Sequence, residues 1–429
     1  MINAIKGFHD ILPGEVEKWQ FVETTARKIF EDFGFSEIKI PIAEKTELFT
    51  RGIGEATDIV EKEMYTFSDR KGDLITLRPE ATASVGRAYI EHRLYENNRV
   101  TKLYCIGPMF RYERPQKGRY RQFHQINVEV LGTADPIIDA EVIAMLNHFL
   151  IALNINEVKL QINSLGCKNC RVHYRENLRD FLKDKSSDLC IDCHRRIRTN
   201  PLRTFDCKNE ACKEITSLAP KILEHICSNC AENFEDVKRN LEQLGISYRI
   251  NPQLVRGLDY YTRTTFEVIT DKLGAQNAVA AGGRYDGLIQ ELGGPDMPGL
   301  GFAIGLERLI SLIPKEKCFS VPVYLFIAPI GTAAKDKALQ LANRFRIMGI
   351  KTEIGYDGKS LKSQMRWADK LNAKFVMIIG DEELASGRVI FRDMETQKQE
   401  EVEIEKIIEE VRSRKGKEIT SGITGSKEN

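Results

Sequence analysis

An α+β fold, in which an antiparallel sheet flanked by helices is followed by a separate α/β domain, is what this sequence predicts. Three observations carry the prediction. Strand-like stretches at 73–79, 101–106, 122–131, 247–251 and 261–270 lack regular crossover helices, which favours antiparallel pairing over a doubly wound sheet. Residues 165–230 hold eight of the ten cysteines and interrupt the strand pattern. Beyond Pro314–Pro322 the pattern changes to alternating strands and helices.

Taken in order, Val16, Trp19, Val22, Ala26, Ile29 and Phe33 recur every three or four residues, so 15–33 reads as a helix. Ile38, Ile40 and Ile42 alternate along a short strand interrupted by Pro41, whose missing N–H suits a sheet edge or an interface. In 122–131, Ile126, Val128 and Val130 share one parity, and Phe123, Gln125, Asn127 and Glu129 share the other. Side chains alternate faces along a strand, so the aliphatic set seats on a core while the polar set lines an opposite surface. The cysteine-rich stretch, 165–231, reads as an insertion that splits a first domain into 1–164 and 232–320. A helix at 232–244, marked by Phe234, Val237, Leu241 and Leu244, leads back into strand sequence. The second domain, 321–412, reads as strand 323–328, helix 334–348, strand 350–354, helix 361–372, strands 375–379 and 388–392, and helix 403–412. From Ser413 the Lys, Gly, Ser and Thr content predicts a disordered tail, 413–429.

Composition narrows the function classes. The 42% hydrophobic and 29% charged fractions are ordinary for a globular chain, and a net charge of +1 supplies no global basic field. Any nucleic-acid contact must therefore use local patches. No apolar run approaches a membrane span, and the opening Met-Ile-Asn-Ala-Ile-Lys lacks the apolar core of a signal peptide. The expectation is a cytoplasmic protein that makes no membrane contact, with cysteines reduced or metal-bound.

The richest segment is Arg111 to Glu129. Arg111 and Glu113 precede a cationic hinge, Arg114, Lys117, Arg119 and Arg121 around Pro115 and Gly118, and the polar strand face follows. A guanidinium grips phosphate oxygens with two donors, and an aromatic, an amide and a carboxylate beside it suit a nucleotide and a small polar substrate. Leu77-Arg-Pro-Glu-Ala-Thr82 has two readings. Extended, it puts Arg78, Glu80 and Thr82 on one face, where a carboxylate and a hydroxyl can accept from a substrate ammonium. Alternatively it is a helix N-terminus with Pro79 and Glu80 in the first turn. Val255–Glu267 opens on an Arg-Gly turn and continues as a strand; Tyr261, Arg263, Thr265 and Glu267 alternate with Tyr260, Thr262, Thr264 and Phe266. Tyrosine-rich strands also simply pack. Ala280–Asp286 and Gly299–Arg308 are glycine-rich but fit neither a P-loop nor a dinucleotide fingerprint; Arg308 falls near a helix N-terminus. The cysteines form Cys167-x2-Cys170, Cys190-x2-Cys193, Cys207-x4-Cys212 and Cys227-x2-Cys230. Eight thiolates suffice for two four-cysteine zinc sites of structural type, with buried reduced cysteines as the alternative.

Over nearly its whole length the chain resembles the histidyl-tRNA synthetases, which are class II (class IIa) aminoacyl-tRNA synthetases. Helix 15–33 with the strand through Pro41 resembles motif 1, which implies a homodimer. Phe110–Gln125 resembles motif 2, and Gly305-Leu-Glu-Arg308 resembles motif 3. Arg256-Gly-Leu-Asp-Tyr-Tyr261 and Ala281-Gly-Gly-Arg-Tyr-Asp286 resemble the family's own signatures. The resemblance implies ATP-dependent ligation of L-histidine to tRNA(His) through a histidyl-adenylate, with Mg2+ on the pyrophosphate. It implies that Arg111 holds the α-phosphate and the histidine carboxylate, Phe123 stacks on adenine and Glu113 contacts the adenine edge. Arg119 and Arg308 would grip the outer phosphates. Glu80, Thr82 and Gln125 would bind the amino-acid backbone, while Glu129 and Tyr261, beside Tyr260, read the imidazole. Arg256 would be a fixed cation at the reacting phosphate. The tRNA would meet the 115–121 loop, the insertion and an anticodon-binding second domain, in which Gly358–Lys362 and Gln364–Asp369 match the usual pattern. Zinc is not implied by the resemblance. The main alternative is a non-catalytic histidine-binding regulatory subunit of ATP phosphoribosyltransferase; the four arginines and the C-terminal domain speak against it. A zinc-dependent nucleic-acid-binding protein would leave the polar strand face unexplained.

Overall fold

The computed structural model describes residues 2–54, 57–116, 118–274, 277–314, 322–356 and 358–424, with side chains to residue 415. Lys117 and most of the Pro314–Pro322 segment lie outside the described residues. Two compact units result, Met1–Phe319 and Ser320–Asn429.

The first unit is built on eight strands: β1 Ser36–Glu37, β2 Thr101–Phe110, β3 Gln122–Leu131, β4 Lys159–Ser164, β5 Arg249–Ile250, β6 Thr262–Ile269, β7 Ala278–Arg284 and β8 Gly299–Gly305. Their order is β1-β2-β3-β8-β7-β6-β4-β5. The six central strands pair antiparallel, as the sequence predicts, whereas the two-residue edge strands β1 and β5 pair parallel, making the sheet mixed. One face is the core. Ile126, Val128 and Val130 of β3 and Leu300, Phe302 and Ile304 of β8 meet three helices there, Val16–Asp32, Pro136–Ala152 and Ser228–Gln243. Phe30 is fully buried against the rings of Tyr104 and Phe149, with centroids 5.4 and 5.6 Å away, a packing worth about 3–5 kcal/mol against truncation to alanine. The first helix buries Trp19, Val22, Ala26 and Phe30, and Ile29 and Phe33 lie at the margin of that row. It stops at Gly34, whose φ of +80° lets the Phe35 N–H close back on Phe30 O at 2.9 Å.

Helix Pro136–Ala152 has no counterpart in the sequence reading, although it occupies the centre of the core between the other two helices. Its start was signalled by Asp135, whose carboxylate accepts from the Ile137 N–H at 3.0 Å, and by Pro136 at the first helical position. Asp139 on this helix forms a fully buried ion pair with Arg284 of β7 (Oδ2 to Nε 2.9 Å).

Three other expectations are corrected. Residues 38–42 make no regular strand, because the Arg78 guanidinium donates to Ile40 O at 2.7 Å and Pro41 O at 3.3 Å, taking carbonyls that a ladder would use. Leu74–Leu77 belongs to a separate three-stranded sheet with Ala43–Lys45 and Tyr65–Ser68. The helix leaving the insertion begins at Ser228, immediately after Cys227.

In the second unit the strand order is Thr352–Ile354, Leu325–Pro329, Phe375–Ile379, Arg388–Asp393 and Gln399–Glu403, the first three parallel and the last two antiparallel. Residues 399–403 are thus a strand, and the final helix runs Ile407–Thr424. The expected tail from Ser413 is corrected to that extent. Arg414 bonds Glu410 at 2.7 Å one turn back, and Lys415 reaches Gly349 O at 2.6 Å, so side-chain anchors hold the helix where it passes Ser413. Residues 425–429 of that tail lie outside the described residues. Among the described residues no helix is long and apolar enough to cross a membrane.

Candidate active site

On the face of the sheet opposite the core, a cleft of about 250 Å³ is lined by Glu80, Thr82, Arg111, Glu113, Arg119, Phe123, Gln125, Arg256, Tyr260, Tyr261 and Arg308. These residues come from separate segments between 80 and 308, brought together because β3, β8, β7 and β6 are adjacent.

Residues 80–82 are the N-terminus of helix Thr82–Glu91: the Glu80 carboxylate accepts from the Thr82 N–H at 2.7 Å and the Ala83 N–H at 2.9 Å. A helix does start here, but at Thr82, so Pro79 and Glu80 precede its first turn rather than forming it, and Glu80 and Thr82 face the cleft. Arg78 does not; it is buried and donates to Pro108 O at 2.8 Å. Burial raises the Glu80 pKa above the usual carboxylate range, against the two backbone bonds.

The hairpin of β2 and β3 carries the cationic residues. Arg111 is held by a bond from Nε to Pro79 O at 2.9 Å, and its guanidinium lies 5.2 Å from the centre of the Phe123 ring. Arg119 is ion-paired with the buried Glu113. Arg308 donates from Nε to Gly118 O at 3.1 Å and from Nη1 to Ala278 O at 3.2 Å. Burial first, and then the neighbouring Arg119, lower the Arg308 pKa from its ordinary value. A polyanion placed among Arg111, Arg119 and Arg308 reverses that cost.

Arg256 sits across the cleft, with Nη1 3.0 Å from Glu267 Oε1 and its guanidinium 5.9 Å from the centre of the Tyr261 ring. Burial opposes its charge, but Tyr261 and Glu267 outweigh it and raise its pKa. Tyr260 and Tyr261 have ring centres 4.8 Å apart, and burial raises both of their pKa values, keeping them as phenols able to donate.

Glu129 lies just beneath the lining and is 2% exposed. Thr82 Oγ1 donates to its Oε1 at 2.7 Å, and the Tyr285 hydroxyl donates to its Oε2. Burial pushes its pKa up to about 8, against those two bonds. Opposite it in the ladder is Gly301, where a Cβ would stand 2.1 Å from Glu129 Oε2, so the carboxyl occupies the space of an absent side chain. The sequence reading missed Tyr285 as the anchor of Glu129, although it is the penultimate residue of the Ala281–Asp286 signature. It also gave no role to Glu307, which accepts from the His124 backbone N–H at 2.8 Å at the cleft's edge.

The eight cysteines of the insertion fall into two groups, Cys167, Cys170, Cys227 and Cys230, and Cys190, Cys193, Cys207 and Cys212. In each, the sulfurs all lie within 4.8 Å of one another.

A flanked sheet with an arginine-rich cleft, followed by residues 325–414 that match the family model described as "Anticodon binding domain", defines an aminoacyl-tRNA synthetase. Residues 7–309 match the model described as "Histidyl-tRNA synthetase". The chain is 57% identical to the histidine–tRNA ligases of Geobacter metallireducens and Geobacter sulfurreducens, over 94% of its own length and 97% of theirs. The apo histidyl-tRNA synthetase of Staphylococcus aureus superposes with a TM-score of 0.82 at 37% identity, covering 96% of this chain and 100% of that one. The chain belongs to the histidyl-tRNA synthetase family, and its activity is that of a histidine–tRNA ligase. The regulatory-subunit reading is not favoured by these relatives. A Bacillus halodurans structure titled as ATP phosphoribosyltransferase regulatory subunit/histidyl-tRNA synthetase shares the fold with a TM-score of 0.65 at 19% identity.

Proposed function

We propose that the cleft activates L-histidine with ATP and passes it to tRNA(His), using the lining residues in distinct roles. The observation that carries this reading is the convergence of four guanidinium groups, Arg111, Arg119, Arg256 and Arg308, with Glu80, Thr82 and Gln125 in one cleft. The histidine carboxylate attacks the α-phosphorus, a new P–O bond forms as the bond to the β-phosphate oxygen breaks, and pyrophosphate leaves. The two reactants are anions, so positioning them in line and neutralising charge on phosphate oxygens supplies much of the rate. Arg111 and Arg256 take the reacting phosphate and carboxylate; Arg119 and Arg308 take the outer phosphates; Phe123 and Glu113 hold the adenine face and edge. Glu80, Thr82 and Gln125 accept from the ammonium group. Glu129 and Tyr261 address the two imidazole nitrogens, with Tyr260 packed beside them. The Glu129 carboxyl offers a lone pair to a ring N–H and, when it holds its proton, an O–H to a bare ring nitrogen.

Among the cleft carboxylates, Glu113 is paired with Arg119 and Glu307 with His124, so a hard cation finds few protein ligands. Magnesium fits as an ion carried on the nucleotide phosphates, where it neutralises the leaving pyrophosphate. Structural zinc belongs to the cysteine groups. For the tRNA, the proposal assigns the 115–121 loop and the 165–231 insertion to the acceptor end and 321–412 to the anticodon. It further assigns the chain a homodimeric state, through the Val16–Asp32 region, and the cytoplasm.

Amino-acid-dependent ATP–pyrophosphate exchange, run with each of the twenty amino acids separately and no tRNA, tests the reading. Exchange with histidine alone supports it. Silence with all twenty, despite measurable histidine binding, overturns it.

A further inference from the structure

We propose that each cysteine group binds one zinc ion, and that the two ions hold the insertion as a clamp on the loop that carries Arg256. The pairing is nested. The first and last cysteine pairs of the insertion meet each other, and the two inner pairs meet each other. Where the chain leaves the sheet at Cys167-Cys170 and where it returns at Cys227-Cys230 are thus joined at one point.

Three observations point to single ions. A tetrahedral ion with zinc–sulfur bonds of about 2.3 Å sets its sulfurs about 3.8 Å apart. The Sγ atoms of Cys167 and Cys170 are 3.5 Å apart, and those of Cys190 and Cys207 are 3.7 Å apart, far from the roughly 2.0 Å of a disulfide. No sulfur pair within a group exceeds 4.8 Å, which suits one ion at the centre. Second, backbone N–H groups already point at sulfurs: Cys227 N donates to Cys170 Sγ at 3.1 Å, and Cys190 N donates to Cys212 Sγ at 3.3 Å. Such bonds stabilise thiolate ligands. Third, the chain passes tightly around the first group. Gly166 has φ of +64°, and a Cβ there would stand 2.6 Å from Cys170 Cβ. All-thiolate coordination selects a soft, redox-silent ion such as zinc over magnesium or calcium.

What the groups support is visible in their neighbours. Arg171, one residue past Cys170, donates to Asp259 O at 3.1 Å and also to Tyr261 O. Asn200 and Arg203, between the two inner cysteine pairs, reach the same loop: Asn200 Nδ2 donates to Asp259 Oδ1 at 2.7 Å, and Arg203 Nη1 to Arg256 O at 3.4 Å. Both groups therefore set the backbone of 256–261. This second half of the proposal rests on the role given to Arg256; the zinc half does not.

Elemental analysis of the full-length protein, purified without added metal or chelator, is the first test. About two zinc and no iron per chain is expected, with two equivalents released to a chromogenic chelator as a mercurial titrates the thiols. Less than half a zinc per folded chain, or iron with visible absorption, overturns the zinc half. Cys190→Ser with Cys193→Ser should lower zinc to one per chain and speed amide exchange in 254–261 about tenfold. If that variant does not fold, exchange is read on wild type after mercurial release. Zinc loss with unchanged exchange at 254–261 overturns the clamp. Exchange reports on the loop without needing activity, so a failure of the Arg256 role is seen separately, as Arg256→Ala retaining ATP–pyrophosphate exchange.

Discussion

Arg256→Ala removes from the cleft a permanent cation fixed at 3.0 Å from Glu267 and backed by the Tyr261 ring. A unit charge about 4 Å from a developing negative oxygen is worth about 4 kcal/mol at an effective dielectric of 20. Losing one preorganised donor of this kind typically costs about a hundred- to a thousandfold in kcat. Both partners are about one-fifth exposed, so water partly replaces the lost group, and a drop of about a hundredfold is the expected end of that range. The variant also leaves Glu267 without this partner, so a melting curve and the double variant with Glu267→Gln separate misfolding from lost chemistry. The assay is histidine-dependent ATP–pyrophosphate exchange together with filter binding of tRNA(His). Exchange should fall while tRNA binding stays within about threefold, a change of under 1 kcal/mol. A variant that exchanges within threefold of wild type refutes the assignment of Arg256 to the reacting phosphate.

Other consequences can be measured in parallel. Gly301→Ala places a Cβ against Glu129 Oε2 and the Val128 carbonyl and should raise the KM for histidine tenfold or more, with a much smaller effect on ATP; misplacements of about 1 Å can cost a hundredfold. Equal effects on both substrates would contradict the placement of Glu129 under the histidine subsite. The Glu129 carboxyl rises from an ordinary 4.5 to about 8 on folding, so the native state holds its proton more tightly than the unfolded chain. Its contribution is fully present below about pH 4.5 and is lost as pH rises towards 8, so wild type should lose stability relative to Glu129→Gln across that window. A melting difference between the two that stays constant from pH 5 to 8 rules this out. Asp139→Asn breaks an ion pair with no exposed surface and should lower the melting temperature on the order of 10 °C, from a cost of about 3–5 kcal/mol. Lys159→Ala, which removes an exposed pair with Asp271, should change it by about 1 °C or less. Similar shifts for the two variants would show that burial does not set the cost.

The parts of the fold that were legible have a strict period. In β3 the parity of Ile126, Val128 and Val130 against Gln125, Asn127 and Glu129 assigns core and cleft faces, and the structure keeps both. Helix Pro136–Ala152 was missed because it is buried on nearly every side and so shows no amphipathic period; its only signals were local, at Asp135 and Pro136. Residues 38–42 alternate like a strand, but pairing there is decided by the Arg78 side chain, which no period encodes. The residues that line the cleft were singled out because several of them lie in short contiguous segments. Tyr285 holding Glu129 could not be read that way, since the two are 156 positions apart. Nor could the nested cysteine pairing, because short spacings within pairs leave open which pairs share a group.

The strand order has a consequence for how the protein is made. Along one edge β3 pairs with β2, which precedes it closely, but along the other it pairs with β8. His124, at the start of β3, meets Glu307, 183 positions later, across that seam. At roughly 5–20 residues per second, a ribosome takes about ten to forty seconds to supply the missing strand. Throughout that interval the nascent chain carries an open strand edge beside an aliphatic face, the state in which unpaired strands seek the wrong neighbour. The arginine-lined cleft is completed only after the insertion has been synthesised and the chain has returned to the sheet.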